Sequence, residues 1–298
     1  MRILVTGASG TLGRAAVPAL VRAGHQVRAL SRRERDGQDA TWVRGDLASG
    51  DGVKQAVRGC EALVHLATHG RKGPGAERVD VAGARTLVSA AREAGVAHLL
   101  YVTVVGADRA PSGLLRCKFE AERVVRESGL GYTVLRATHF HQWLDKLLRE
   151  YAASPVLPVD RSVPWQPVHT GEVATHLTGL LAGGPRQQAV EFGGPQVLRT
   201  DELVDVWLEG RHLRRLCLSV RYPGRLLAAQ RAGALITEAT PRGRISWHDY
   251  LYPPPPVPSD DFASEHTASP TSPANQPEGD PDRHVYGGDE GYQRQTRR

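Results

Sequence analysis

The chain has 298 residues, 40% hydrophobic and 23% charged, which is the profile of a globular protein long enough to bury a substantial core. No apolar run reaches the length of a membrane-spanning helix, so neither a span nor a membrane partner is expected. The net charge of +6 comes from scattered arginines, dense only in "GRHLRRLCLSVRYPGR" (210–225), and no helix-turn-helix, RRM or zinc-finger pattern accompanies it; nucleic acid is not an expected partner.

The chain enters directly on a strand-like run, "MRILVTG", without a leader pattern, and its three cysteines form no CxxC pair. Both point to a reducing, cytoplasmic setting. Strands are expected over 2–7, 26–30, 41–45, 62–67, 98–106 and 132–137. Helices are expected near 11–23, 50–58, 75–94 and 112–128. Runs such as "LLYVTVV" are apolar without alternation, as strands covered on both faces should be. Strand–helix alternation of this kind predicts an α/β fold, a Rossmann-like doubly wound parallel sheet.

After residue 154 four prolines break the rhythm. A helix over 170–183 follows, with Thr170 as N-cap, then a strand in "QAVEFGG", a helix from about residue 200 and an amphipathic "GRLLAAQRAGALI". From 253 the composition turns rich in proline, serine and acids and poor in aliphatics, which cannot offset the entropy of ordering. The expected organisation is a dinucleotide-binding core (1–154), a small C-terminal α+β substrate lobe (155–252) and a disordered tail (253–298).

The strongest local signal is "VTGASGTLGR" (5–14), which follows the first strand and opens the first helix. Gly7 permits a tight turn, Gly10 lets a pyrophosphate approach the backbone, and Gly13 lets helix pack on strand. Ser9, Thr11 and Leu12 present backbone N–H groups at a helix start, where the dipole favours a diphosphate. The second strand ends in Ser31, Arg32 and Arg33, where an acidic residue would favour NAD. A hydroxyl and two guanidinium groups suit a 2′-phosphate instead, so NADP(H) is the expected cofactor.

The segments "TGASGTLG", "RGDL" (44–47), "VHLAT" (64–68), "VDVAGARTLVSAAREAGVAHLLYVTVVG" (79–106), "KFEAE" (118–122), "YTVLRATHFHQ" (132–142) and "WQPVHTGEVA" (165–174) together resemble the short-chain dehydrogenase/reductase superfamily. Within it the chain is most similar to the atypical, NmrA-like branch of NAD(P)H-binding oxidoreductases, over residues 1 to about 252. The resemblance implies that Asp46 and Leu47 flank the adenine, and that Leu66, Ala67 and Thr68 line the ribose and diphosphate path. It implies that Ala137 and Thr138 border the nicotinamide. Thr103 takes the place of the family's catalytic serine, and Lys118 that of the lysine in its YxxxK pair.

The pair is incomplete, because four residues before Lys118 stands Leu114, which has no proton to give. A positioned general acid supplies roughly 10²–10⁴ in rate, so the substitution narrows the chemistry. Of three readings, an epimerase or carbonyl dehydrogenase of the extended branch is the one that the missing tyrosine disfavours most, and two others follow. One is an NADPH-dependent reductase of a small conjugated acceptor (quinone, enone or imine), with the proton drawn from water, Thr103 or a histidine such as His139. The other is a non-catalytic redox sensor acting through a protein partner. No metal is expected, since His139 and His141 have no further ligand near them in sequence.

Overall fold

The computed structural model describes residues 1–253 apart from 38, 71–73 and 111–112. The acid- and proline-rich tail expected from 253 therefore lies, from 254 on, outside the described residues. In the first half β1 (Arg2–Thr6), β2 (Gln26–Ser31), β3 (Thr41–Arg44), β4 (Ala62–His65), β5 (His98–Val104) and β6 (Tyr132–Ala137) alternate with helices. These are α1 (Gly13–Arg22), α2 (Val53–Val57), α3 (Pro74–Ala76), a π-helical stretch (Glu77–Ala82), α4 (Gly83–Glu93) and α5 (Gly113–Arg126). Then come α6 (His141–Tyr151), β7 (Val156–Val159), β8 (Pro164–Trp165), α7 (Thr170–Ala182) and β9 (Ala189–Phe192).

The main sheet has seven strands in the order β3-β2-β1-β4-β5-β6-β9, and every neighbouring pair is parallel. This is the doubly wound, Rossmann-like topology, and the order reverses direction between β1 and β4. Its cause is visible in the strands, which are buried on both sides: β4 and β6 are buried along their whole lengths. Ile3 and Val5 face a layer built from Ala16 and Leu20 of α1 and Leu177 and Leu180 of α7. Leu4, Leu63 and Leu99 face Val53 of α2, Leu87 of α4 and Val125 of α5 on the other side. Each such leucine adds roughly 1.5–3 kcal/mol by leaving water.

The remaining elements build a second, smaller cluster with β10 (Leu198–Arg199), α8 (Thr200–Gly210), β11 (Leu216–Ser219), α9 (Arg225–Arg231) and α10 (Trp247–Leu251). β8 pairs antiparallel with β10, and β7 pairs parallel with β11. Trp207 and Trp247 are fully buried there with Leu144 of α6 and Leu157 of β7. Their indole N–H groups are satisfied by Asp145 Oδ1 at 2.7 Å and by the Leu203 carbonyl at 2.9 Å. At α7 the cap differs from expectation. His169, one residue before Thr170, is the N-cap, and its Nδ1 accepts the Gly171 N–H at 3.2 Å. The imidazole does here what a hydroxyl or carboxylate usually does.

Candidate functional site

The turn between β1 and α1 is shaped by its glycines. Gly7 has φ of +69°, and a Cβ on it would lie 2.6 Å from the Ala67 amide nitrogen, so glycine is needed both for the turn and for the passage of the chain leaving β4. A Cβ on Gly13 would lie 2.3 Å from the Gly7 carbonyl oxygen, which fixes how closely α1 sits on the turn. Gly10 has only that same carbonyl near its Cβ position, at 3.1 Å, and is open on its outer side.

Among the described residues the amides of Ser9, Thr11 and Leu12 meet no acceptor, and α1 starts without a side-chain cap. A helix of ten residues thus presents free N–H groups beside an open glycine. That donor set fits a diphosphate, whose charge the dipole also favours. At the end of β2 Ser31 is buried and its Oγ accepts the Arg33 N–H at 3.2 Å, while Arg32 and Arg33 extend into solvent. Arg35 lies over the Trp42 ring at 5.6 Å. Asp46 Oδ1 accepts the Ala48 N–H at 2.9 Å, and buried Leu47 rests against Gly83.

Leu66, Ala67 and Thr68 follow β4, and Thr68 meets Lys118, whose Nζ donates to its Oγ1 at 2.8 Å. Burial pulls the Lys118 ammonium below the usual lysine range, against the opposing pull of Asp80. Lys118 sits in α5, with the Leu114 position one turn before it in the same helix. Thr103 is buried near the end of β5 with its hydroxyl unpartnered among the described residues. Ala137 and Thr138 are buried at the end of β6, and the Thr138 hydroxyl accepts the Gly194 N–H at 3.3 Å.

His139, next to Thr138 in the chain, lies among aromatic rings. Its ring lies 4.8 Å from Trp165 and 5.4 Å from Trp143, and burial lowers its pKa to about 4, so it is neutral at pH 7. His141 points elsewhere, toward His169, Trp247 and Tyr250. The H-x-H pair does not converge, and among the described residues no three His, Cys, Asp or Glu side chains gather as a metal site.

Three buried groups were not singled out by sequence reasoning. Asp80, in the π-helical stretch, is 1% exposed; its Oδ1 accepts the His69 N–H at 3.2 Å and its Oδ2 has no partner among the described residues. His65 shares a 2.7 Å bond with the Thr6 hydroxyl and stacks on Tyr101 at 5.2 Å. Burial, with the Lys118 charge, lowers the His65 pKa to about 4. Burial and then Asp80 push the Tyr101 phenol upward. The free atoms His65 Nε2, Asp80 Oδ2, Thr103 Oγ1 and His139 Nδ1 belong to segments at or just beyond the carboxyl edge of the sheet. Unsatisfied polar atoms are costly, and their concentration there fits a ligand site. Sequence held a weak pointer only to Asp80, within "VDVAG".

A sequence model of the NAD(P)H-binding family matches residues 7–155. The chain belongs to that family. It is 31% identical over 247 residues to the ceramide reductase of Caulobacter vibrioides, covering 69% of this chain and 78% of that protein. It is 30% identical over 181 residues to the photosystem II assembly factor Ycf39 of Cyanophora paradoxa, covering 58% of this chain and 54% of that one. The chain thus spans about half the length of that relative. The NADPH-dependent quinone oxidoreductase QOR2 of Escherichia coli, solved with NADPH, shares the fold at a TM-score of 0.71. That likeness covers 84% of this chain and 98% of the other at 17% identity. The NAD(P)H-binding family member described here therefore shares its overall fold with a solved NADPH-dependent oxidoreductase.

Proposed function

We propose that the protein is an NADPH-dependent reductase of a small conjugated acceptor, a quinone, enone or imine. The observation that carries this is the half-kept catalytic helix: Lys118 reaches Thr68 from α5, while the position one turn earlier is Leu114. Bound NADPH would supply the hydride. Ser9, Gly10, Thr11, Leu12 and Gly13 would hold its diphosphate, and Arg32 and Arg33 its 2′-phosphate. Asp46, Leu47, Leu66 and Ala67 would line its adenosine half, and Lys118, Ala137 and Thr138 its nicotinamide half.

An acceptor conjugated to a carbonyl or imine needs less help from a protein acid, because charge spreads over several atoms as the hydride arrives. Orientation then carries most of the rate. The Thr103 hydroxyl would donate a hydrogen bond to the developing anion, with water completing the proton transfer; its lack of a bonded partner among the described residues supports that role. His139 is neutral above about pH 4, which suits it to lining the pocket rather than to acid catalysis.

A second reading is favoured by Leu114 together with a relative named as an assembly factor: a dinucleotide sensor that acts through a protein partner. NADPH oxidation by the full chain over a panel of quinones, enones and imines separates the two. Tight NADPH binding with no turnover on any acceptor would leave the sensor. In the reductase, Leu114→Tyr should extend activity to simple carbonyls, and Thr103→Val should lower turnover about 10- to 100-fold with little change in cofactor affinity.

A further inference from the structure

The two-stranded sheet β7–β11 has one face turned inward and one outward. Leu157 and Val159 are buried and Cys217 is half-buried, while the alternate residues face solvent. The register sets Leu216 beside Val156 and Leu218 beside Pro158, and in-register neighbours project to the same side. The outer face is therefore apolar at all four positions, with Leu216 60% and Leu218 48% exposed. Sheet faces turned to water ordinarily carry polar residues. Tyr151, at the end of α6, is 54% exposed, and Tyr222, after β11, is 39% exposed. The Leu216 N–H donates to the Pro155 carbonyl at 3.1 Å, which brings the chain just after α6 against the start of this strand.

The segment that carries β11 has charge of one sign, although Asp201 and Asp205 of α8 lie near Cys217 and Ser219 at one side of the strand. From Gly210 to Thr237 the sequence holds six arginines and no aspartate or glutamate. Arg211, Arg215 and Arg231 are engaged internally, by Asp145, the Ala152 carbonyl and Asp160. Arg214, Arg221 and Arg225 are exposed and meet no acidic group among the described residues.

We propose that this face docks the protein on an anionic membrane surface. Aliphatic side chains gain by entering the acyl boundary, tyrosines suit the headgroup level, and arginines gain from anionic lipid. A nucleic acid would use the arginines but not the leucines. A second copy would bring two sets of free arginines together. Docking of this kind departs from the expectation of no membrane partner, which rested on the lack of a membrane-spanning run. Docking would act at short range from the candidate site, since α6 runs from His141 to Tyr151, about 16 Å by the helical rise. The proposal stands independently of the proposed reaction.

The test is co-sedimentation of the full chain with vesicles of phosphatidylcholine alone and of phosphatidylcholine with phosphatidylglycerol. Binding is expected on the second only, weakening with salt. Leu216→Ser with Leu218→Ser should reduce it about tenfold, and Arg214→Gln with Arg221→Gln and Arg225→Gln by roughly 100-fold. Melting temperature and NADPH affinity should stay unchanged in both variants. If the leucine variant folds poorly, the arginine variant decides alone. Failure to pellet with anionic vesicles at low salt, or pelleting that neither variant reduces, overturns the proposal. So does a soluble dimer that the leucine variant dissociates.

Discussion

Lys118 donates from Nζ to the Thr68 hydroxyl at 2.8 Å, so the helix α5 and the loop leaving β4 are joined at the candidate nicotinamide end of the cleft. A cofactor ribose would share that ammonium. Lys118→Ala should raise the Kd for NADPH about 10- to 100-fold, the worth of a charge-assisted hydrogen bond. Thr68→Val should cost less, because the ammonium remains. Titration of cofactor fluorescence measures both, and equal affinities in all three proteins would remove Lys118 from the site.

The cofactor preference rests on two arginines in solvent at the end of β2. Replacing Arg32 and Arg33 together with alanine should weaken NADPH by about tenfold or more and leave NADH nearly unchanged. A loss of the same size for both dinucleotides would show that the guanidinium groups do not meet a 2′-phosphate.

Beneath α5 lies a buried ion network. Arg136 of β6 donates from Nε and Nη2 to the Glu122 carboxylate at 3.0 and 2.8 Å, and from Nη1 to Asp108 at 2.8 Å. Glu122 is 0% exposed and one helical turn beyond Lys118, so the pair also positions the lysine. Glu122→Ala leaves the buried Arg136 Nε and Nη2 without their acceptor, with only Nη1 still held by Asp108, and should destabilise by about 3 kcal/mol, lowering Tm by roughly 10 °C. The double variant Glu122→Leu with Arg136→Met should recover much of that loss. Exposed pairs such as Lys54–Glu93 should contribute little, because water and salt screen both charges.

Acid should unfold the protein early. Burial lowers the pKa of His65 to about 4, helped by Lys118, and that of His141 to about 3, helped by His169; 6.5 is the ordinary value for both. Unfolding frees each ring to take up a proton, so their contribution is complete above pH 6.5 and is lost as the pH falls toward 4 for His65 and toward 3 for His141. The slope is about 1.4 kcal/mol per pH unit per histidine in that window. Urea unfolding at a series of pH values measures it, and His141→Phe should flatten the curve by one proton. An unchanged slope in that variant would place the acid sensitivity elsewhere.

Much of the core was legible because its physics is local and repeated. Six strands of the sheet are short apolar runs, and the glycine turn sits between the first strand and first helix as three closely spaced constraints. The smaller cluster was harder to read because its strands are two to four residues long, as in Pro164–Trp165 and Leu198–Arg199. Periodicity has nothing to act on over such lengths. The cap of α7 is His169 and not the threonine after it, a choice that only the ring's placement shows, since threonine is the commoner cap. Asp80, His65 and Tyr101 are far apart in sequence, and their meeting depends on packing between β4, β5 and the π-helical stretch. No single stretch of sequence carries that information.

The last strand of the sheet, β9, pairs with β6 across the 51 residues 138–188, which include α6, β7, β8 and α7. During synthesis this has a consequence of its own. Until Phe192 has left the ribosome, β6 remains an open edge with every side chain destined for burial. Such an edge invites pairing with other chains. A fragment ending near residue 155 should therefore aggregate, and the nascent chain would depend on chaperone cover until the late strand arrives.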